Sequence, residues 1–92
     1  MTTVDGASRP RLSRGVRLRE DEARGGTVLL APERVLNPSP TAIQVLRRCD
    51  GSRDVDAIVG ELAALYAAEP DRIAADVRTL LADLVAKRVL TL

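Results

Sequence analysis

Prolines divide the stretch LLAPERVLNPSP, residues 29–40, into two short apolar runs. The aliphatic residues of both runs favour β-strands. A proline has no N–H to donate to a sheet ladder, so a strand cannot continue through Pro32 or Pro38. The sequence therefore predicts one strand ending at Ala31 and a four-residue strand over Arg34–Asn37. Such a short strand is either an edge protected from aggregation or an edge left open for pairing with another chain.

The neighbouring segments predict a hairpin before this strand and helices after it. Gly15–Glu20 alternates apolar and polar residues, and Thr27–Ala31 is its predicted partner strand, with Gly25 and Gly26 suited to the turn between them. Three stretches with apolar residues at helical spacing are predicted as helices over residues 40–49, 54–68 and 70–88. Ser39 and Asp54 are the predicted caps of the first two, and Ala42 lies on the apolar stripe of the first. Val89–Leu92 alternates again and is expected to lie extended against the domain.

The order of these elements predicts an α+β fold, with three helices packed on a small three-stranded antiparallel sheet and a short extended C-terminus. Residues 1–13 are rich in Thr, Ser, Gly, Arg and Pro and have no periodic apolar face. We predict that residues 1–13 form a flexible tail or linker and that residues 14–92 form one domain.

The residue types leave little material for catalysis. The chain has no histidine, which is the usual general base at neutral pH and the commonest metal ligand. Its single cysteine, Cys49, lies on the apolar stripe of the first predicted helix and is interpreted as a buried structural thiol. Asp83 and Lys87 are spaced as a solvated i, i+4 ion pair. We expect no catalytic, metal-binding or cofactor-binding residue, and a binding function rather than an enzyme.

Charge and hydropathy exclude two kinds of partner. The 14 Lys and Arg residues nearly balance the 13 Asp and Glu residues, and a net charge of +1 is too small for non-specific affinity to nucleic acid or to an anionic membrane. No stretch approaches the ~20 apolar residues of a membrane span, and the N-terminus lacks a signal-peptide core. The sequence is typical of a cytoplasmic protein, and we expect a monomer.

Two binding functions compete. The second and third predicted helices, separated by a short break, fit a helix-turn-helix whose third helix would enter the DNA major groove. Asp71, Asp76 and Asp83 on that helix would face phosphates, which makes DNA binding the weaker interpretation. The alternative is capture of an extended peptide, which would pair with the free edge of the third strand and pack in a neighbouring apolar groove.

Four segments together resemble the PqqD family, the small peptide chaperones of pyrroloquinoline quinone biosynthesis. The resemblance covers Pro10–Leu92, and its motifs are PRLSRGVRLRED, VLLAPERVL, CDGSRDVDAIV and DVRTLLADLVAKRVL. It implies a winged-helix-like fold. It also implies that the protein is a recognition element, which binds the leader of the precursor peptide PqqA and presents it to the radical S-adenosylmethionine enzyme PqqE. That enzyme would then cross-link a Glu and a Tyr of the peptide, and this protein would contribute no chemistry.

The resemblance also implies where the leader binds: along the third strand and against the third helix. The implied peptide-binding residues are Arg34, Val35, Leu36, Asn37, Ile73, Asp76, Val77, Leu80 and Leu84. Core packing is the other explanation for the helix residues. Val35 and Leu36 are both apolar, so the sequence leaves open which alternate strand residues face the free edge.

Overall fold

A three-stranded meander followed by three helices forms the fold, as predicted. The structure, a computed structural model, describes residues 4–21, 23 and 25–92, so Met1–Thr3 and two positions of the predicted hairpin loop, Glu22 and Arg24, lie outside the described residues. The elements in chain order are β1 Arg11–Leu12, β2 Arg17–Asp21, β3 Gly26–Ala31, β4 Arg34–Leu36, α1 Pro40–Arg47, α2 Val55–Tyr66, α3 Pro70–Ala86 and β5 Leu90–Thr91. The predicted α+β class is confirmed.

Strands β2, β3 and β4 pair antiparallel in that order, so β4 is one edge of the sheet. Leu18 pairs with Leu29, and Leu29 pairs with Leu36, which places these three side chains in one row across the sheet. Leu29 is fully buried, and Leu18 and Leu36 pack against the same core cluster. The inner face of the meander is therefore the face that carries this row, and the core is aliphatic, as the near absence of aromatic residues requires.

The first two helices begin at the predicted caps. The Ser39 hydroxyl accepts a hydrogen bond from the Ala42 N–H (3.2 Å), and an Asp54 carboxylate oxygen accepts one from the Ala57 N–H (2.8 Å). The helices end slightly earlier than predicted. Ala67 (φ 49°) and Arg88 (φ 63°) have left-handed backbone conformations, which stop α2 and α3 without the glycine that usually marks such a stop.

The N-terminal segment 4–13 packs on the domain, so the predicted flexible tail is wrong for these residues, and the predicted domain start at residue 14 is too late. Val4 is 9% exposed and belongs to the core, and Pro10 is fully buried. Strand β1 pairs antiparallel with β5, with Arg11 opposite Thr91.

Backbone hydrogen bonds explain why this segment orders without an apolar period. The first N–H groups of a helix have no intrahelical acceptor. The Val55 N–H donates to the Ser8 carbonyl (2.9 Å) and the Asp56 N–H to the Gly6 carbonyl (3.0 Å), so the segment supplies acceptors to the start of α2. Main-chain carbonyls carry no residue-type signal, and a two-residue strand is too short to show alternation.

Candidate functional site

The turn between β3 and β4 determines which backbone groups β4 presents at its free edge. Pro32 and Glu33 form a two-residue loop between the paired residues Ala31 and Arg34, and Glu33 has φ 65°, as expected of the third residue of a type II turn. In such a turn the Arg34 N–H bonds back to the Ala31 carbonyl. Backbone groups alternate sides in an antiparallel strand, so Leu36 also faces β3, and Val35 directs its N–H and C=O to the free edge.

An open cavity of ≈ 260 Å³ lies beside this edge. Its apolar wall comes from three parts of the chain: β3 and β4, the start of α1, and the second half of α3. The lining residues are Leu29, Leu36, Asn37, Pro38, Ser39, Ala42, Leu80, Asp83, Leu84 and Lys87. No residue of β2, the opposite edge of the meander, lines it. This groove therefore adjoins the β4 edge of the meander and not the β2 edge.

The structure brings together four of the nine predicted site residues around the cavity. Leu36 and Asn37 come from β4 and the residue after it, and Leu80 and Leu84 come from α3. Leu36 and Leu80 are half-buried, so both have side-chain surface available to a ligand. Val35 does not line the cavity, but it carries the free backbone groups.

The other predicted helix residues lie away from the cavity. Val77 is 4% exposed in the core, Ile73 packs against that core, and Asp76 is exposed. They share the helical stripe of Leu80 and Leu84, but only the second half of α3 adjoins β4. The sequence shows the stripe but not the angle at which the helix crosses the sheet.

Sequence reasoning missed three residues at the entry to α1. Pro38, Ser39 and Ala42 line the cavity, although the sequence had assigned them to ending a strand, capping a helix and filling the core. No residue-type signal marks this second use. Their position directly after the edge strand was the available clue, because a chain leaving β4 must pass the same groove.

Arg34 connects the two walls of the groove. Its guanidinium donates a hydrogen bond to the backbone carbonyl of Lys87, across 53 residues of sequence. Lys87 caps the C-terminus of α3, where carbonyl groups lack intrahelical donors and attract cations. The predicted site residue Arg34 therefore holds the end of α3 beside β4.

The rim of the groove carries the predicted ion pair. The Lys87 Nζ lies 2.9 Å from an Asp83 carboxylate oxygen, and both side chains are about half exposed (52% and 54%). A pair this exposed contributes little to stability, and its charges compensate each other. The groove therefore offers a ligand an aliphatic wall with a nearly neutral rim.

The one cysteine of the chain, Cys49, is buried. Cys49 is 3% exposed, and its thiol donates to the Val45 carbonyl (3.2 Å). Burial, with a smaller effect from the Asp50 carboxylate, raises the pKa of the Cys49 thiol to about 12. A thiol with such a pKa stays protonated and is a poor nucleophile at neutral pH.

Among residues 4–21, 23 and 25–92, no cluster of three His, Cys, Asp or Glu side chains could hold a metal ion, and no helix could span a membrane.

Two solved structures have this fold. The solution NMR structure of the PqqD truncation of Methylobacterium extorquens PqqCD, described as a functional and stand-alone RiPP recognition element, has a TM-score of 0.83 and 46% identity, covering 99% of this chain and 97% of that one. The crystal structure of PqqD from Xanthomonas campestris has a TM-score of 0.61 and 42% identity, covering 98% and 100%. The winged-helix-like description is consistent with both.

Sequence comparison agrees with the structural likeness. A relative from Rhodopseudomonas palustris (strain BisB5), named PqqA binding protein, is 49% identical over 97% of this chain and 87% of its own length. The family model described as Coenzyme PQQ synthesis protein D (PqqD) matches residues 26–90. That range contains β4, all of the cavity lining and the three helices. The chain therefore belongs to the PqqD family.

Proposed function

We propose that this protein binds the precursor peptide PqqA by strand addition at the free edge of β4. One observation supports the proposal: β4 is an edge strand and lies next to an aliphatic groove formed by Leu36, Leu80 and Leu84, and the register of β4 directs the N–H and C=O of Val35 away from β3. Main-chain pairing provides affinity in this mode of recognition, and neighbouring pockets for alternate side chains provide specificity. Relatives named PqqA binding protein support PqqA as the ligand.

The direction of the Val35 backbone groups predicts how the peptide sits. The ligand residue directly opposite Val35 has its side chain on the same face of the sheet as Val35, away from the groove. The residues on either side of it in the peptide then point toward Leu36 and the α3 leucines, because side chains alternate along a strand. A bound leader is therefore expected to carry apolar residues at positions i and i+2.

Presentation to PqqE is the second half of the proposal. An added strand keeps a peptide extended, while any part of the peptide beyond β4 stays accessible to a second protein. The three residues of β4 pair with only a short segment, about 10 Å long at ~3.3 Å per residue. This protein thus holds the leader and leaves the chemistry to PqqE.

A titration of isotope-labelled protein with synthetic PqqA tests the proposal. Saturable shifts of the amides of Val35, Asn37, Leu80 and Leu84, without a comparable shift at Ile73, are the expected result. Duplex DNA at low salt is the comparison ligand, because a winged-helix DNA-binding module was the competing interpretation. The exposed Asp71, Asp76 and Asp83 on α3 oppose that interpretation. Shifts with DNA but not with PqqA would reject strand addition as the function.

A further inference from the structure

The meander has a second face, opposite the core. Arg17 pairs with Leu30 and Leu30 with Val35, so these three side chains form one row, and Arg19 pairs with Val28 in the next. Both rows alternate with the inner row of Leu18, Leu29 and Leu36. Among the described residues, the aliphatic side chains packed in or against the core include the inner row but not Val28, Leu30 or Val35. We call Arg17, Arg19, Val28, Leu30 and Val35 the outer face.

The outer face combines aliphatic surface with positive charge. Val35 is 58% exposed, more than any other large hydrophobic residue in the part of the chain that the structure describes, and Val28 and Leu30 are half-buried. Arg17 and Arg19 are exposed along the β2 side of this strip. Arginine beside aliphatic surface is typical of protein interfaces, and the complementary surface carries aliphatic side chains next to carboxylates.

The outer face is continuous with the proposed peptide site. A strand added at β4 extends the row Arg17–Leu30–Val35 by the one ligand side chain opposite Val35. A protein docked on this face would therefore touch both the chaperone and its bound peptide. Such a partner gains contacts from the loaded form that neither the free protein nor the free peptide supplies.

We propose that the outer face docks the protein that receives the bound peptide, through a partner surface of aliphatic side chains flanked by carboxylates. This inference rests on the proposed function, because the composite row exists only when a peptide pairs with β4. It adds the location of the second interface, its charge, and a preference of the partner for the loaded protein.

Substitutions of opposite charge at Val35 test the sign of the charge on the partner surface. With PqqE as the probe and PqqA saturating, V35E is expected to weaken PqqE binding by about tenfold or more, since one unfavourable charge contact corresponds to roughly a factor of ten. V35K is expected to bind PqqE much better than V35E, because lysine faces carboxylates favourably. R17E should resemble V35E, and R17K should bind like the wild type.

Leu65 provides the matched control. Its exposed fraction, 54%, is similar to the 58% of Val35, but it lies near the end of α2 rather than on the sheet. L65E is expected to leave PqqE binding unchanged. Three results would each overturn the assignment. V35E and L65E could lose the same amount of PqqE affinity, V35E and V35K could bind PqqE equally well, or PqqE could fail to bind the PqqA-loaded wild type.

Direct titration with PqqA separates this inference from the proposed function. R17E, R17K and L65E are expected to bind PqqA within about threefold of the wild type, because these residues lie outside β4 and outside the groove lining. The PqqA affinities of V35E and V35K are measured in the same way, so that PqqA saturates both variants when PqqE is added. Failure of wild-type protein to bind PqqA would reject the proposed function itself. Normal PqqA binding together with wild-type PqqE affinity in R17E would reject only the outer face.

Discussion

Val35 and Leu36 are neighbours in β4, but they present their backbone groups to opposite sides of the strand. The two-residue turn at Pro32 and Glu33 directs the Arg34 N–H to β3, so alternation directs Leu36 to β3 and Val35 to the free edge. Stability and ligand binding therefore depend on different backbone groups of adjacent residues.

Proline substitution at these two positions should separate folding from binding. V35P removes a donor that faces the open edge, so the free protein should retain nearly all of its stability. PqqA affinity should fall by ~1–3 kcal/mol, because a buried acceptor on the peptide loses its donor. L36P removes a donor inside the sheet and should destabilise the protein by ~3 kcal/mol or more. Chemical denaturation and calorimetric titration measure the two effects.

Alanine variants separate the side-chain contributions from the backbone effect. V35A should bind PqqA more tightly than V35P, because it keeps the N–H, and L36A should be more stable than L36P for the same reason. If V35P were unfolded and L36P folded, the assigned direction of the backbone groups would be wrong. If both bound PqqA normally, β4 would not be the docking edge.

Leu80 and Ile73 test the extent of the groove along α3. Both are half-buried and lie two turns apart, but only Leu80 lines the cavity. L80A should weaken PqqA binding by about 1–2 kcal/mol through lost apolar contact, and I73A should leave it unchanged. Both variants are expected to lose stability, so binding is measured at a temperature where both are folded. A loss of affinity in I73A equal to that in L80A would extend the site to the first half of α3.

Local signals in the sequence were sufficient for much of the fold. Ser39, Asp54 and the prolines around β4 act within a few residues of where they stand, so the caps and the short edge strand were predictable. The sequence did not show which alternate residues of β4 face the free edge, because this depends on the turn that precedes the strand. That turn requires a left-handed conformation of Glu33, and glutamate does not favour this conformation. The missing information was a backbone angle rather than a residue pattern.

Long-range contacts account for the rest. The order of segment 4–13 depends on the carbonyl groups of Ser8 and Gly6, which bond to the start of α2, 47 and 50 residues later along the chain. No local rule predicts such a contact. The cavity likewise combines α1, α3 and the sheet. Sequence periodicity gave one wall of the site, Leu80 and Leu84, but it could not distinguish them from Ile73 on the same stripe.

Removal of residues 1–10 should destabilise the protein. The deletion exposes core surface around Val4, removes the buried Pro10 and leaves the N–H groups of Val55 and Asp56 without their acceptors. We expect a loss of at least ~2 kcal/mol in the free energy of unfolding. V4A should show part of this loss. Unchanged thermal stability of the truncated protein would mean that the segment does not pack as described.

Salt dependence should distinguish strand addition from charge-driven binding. An aliphatic groove with a compensated Asp83–Lys87 rim predicts that PqqA affinity changes little between about 50 and 200 mM salt. Binding through six to ten phosphate contacts would lose ~10³-fold or more over this range. Calorimetric titrations at the two salt concentrations measure the slope. A steep slope for PqqA would show that charge dominates and that the groove is not the main contact.

Cys49 should make the stability of the protein depend on pH in the alkaline range. The pKa of its thiol is about 12 in the folded protein against the ordinary 9.0. Between these values the unfolded chain releases the thiol proton and the folded protein keeps it, so stability falls as pH rises above 9. The slope attributable to Cys49 approaches ~1.4 kcal/mol per pH unit. Below pH 9 both states are protonated, and this contribution to the pH dependence vanishes.

The variant C49A isolates this contribution, because every other ionisable side chain is common to both proteins. The difference in unfolding free energy between wild type and C49A should be constant from pH 7 to about pH 9. From pH 9 to about pH 12 the wild type should lose stability steadily relative to C49A. In the native protein at pH 8, a thiol reagent should label Cys49 only as fast as the protein opens, because the side chain is 3% exposed. Rapid labelling, or a difference that stays constant up to pH 12, would contradict a buried, protonated Cys49.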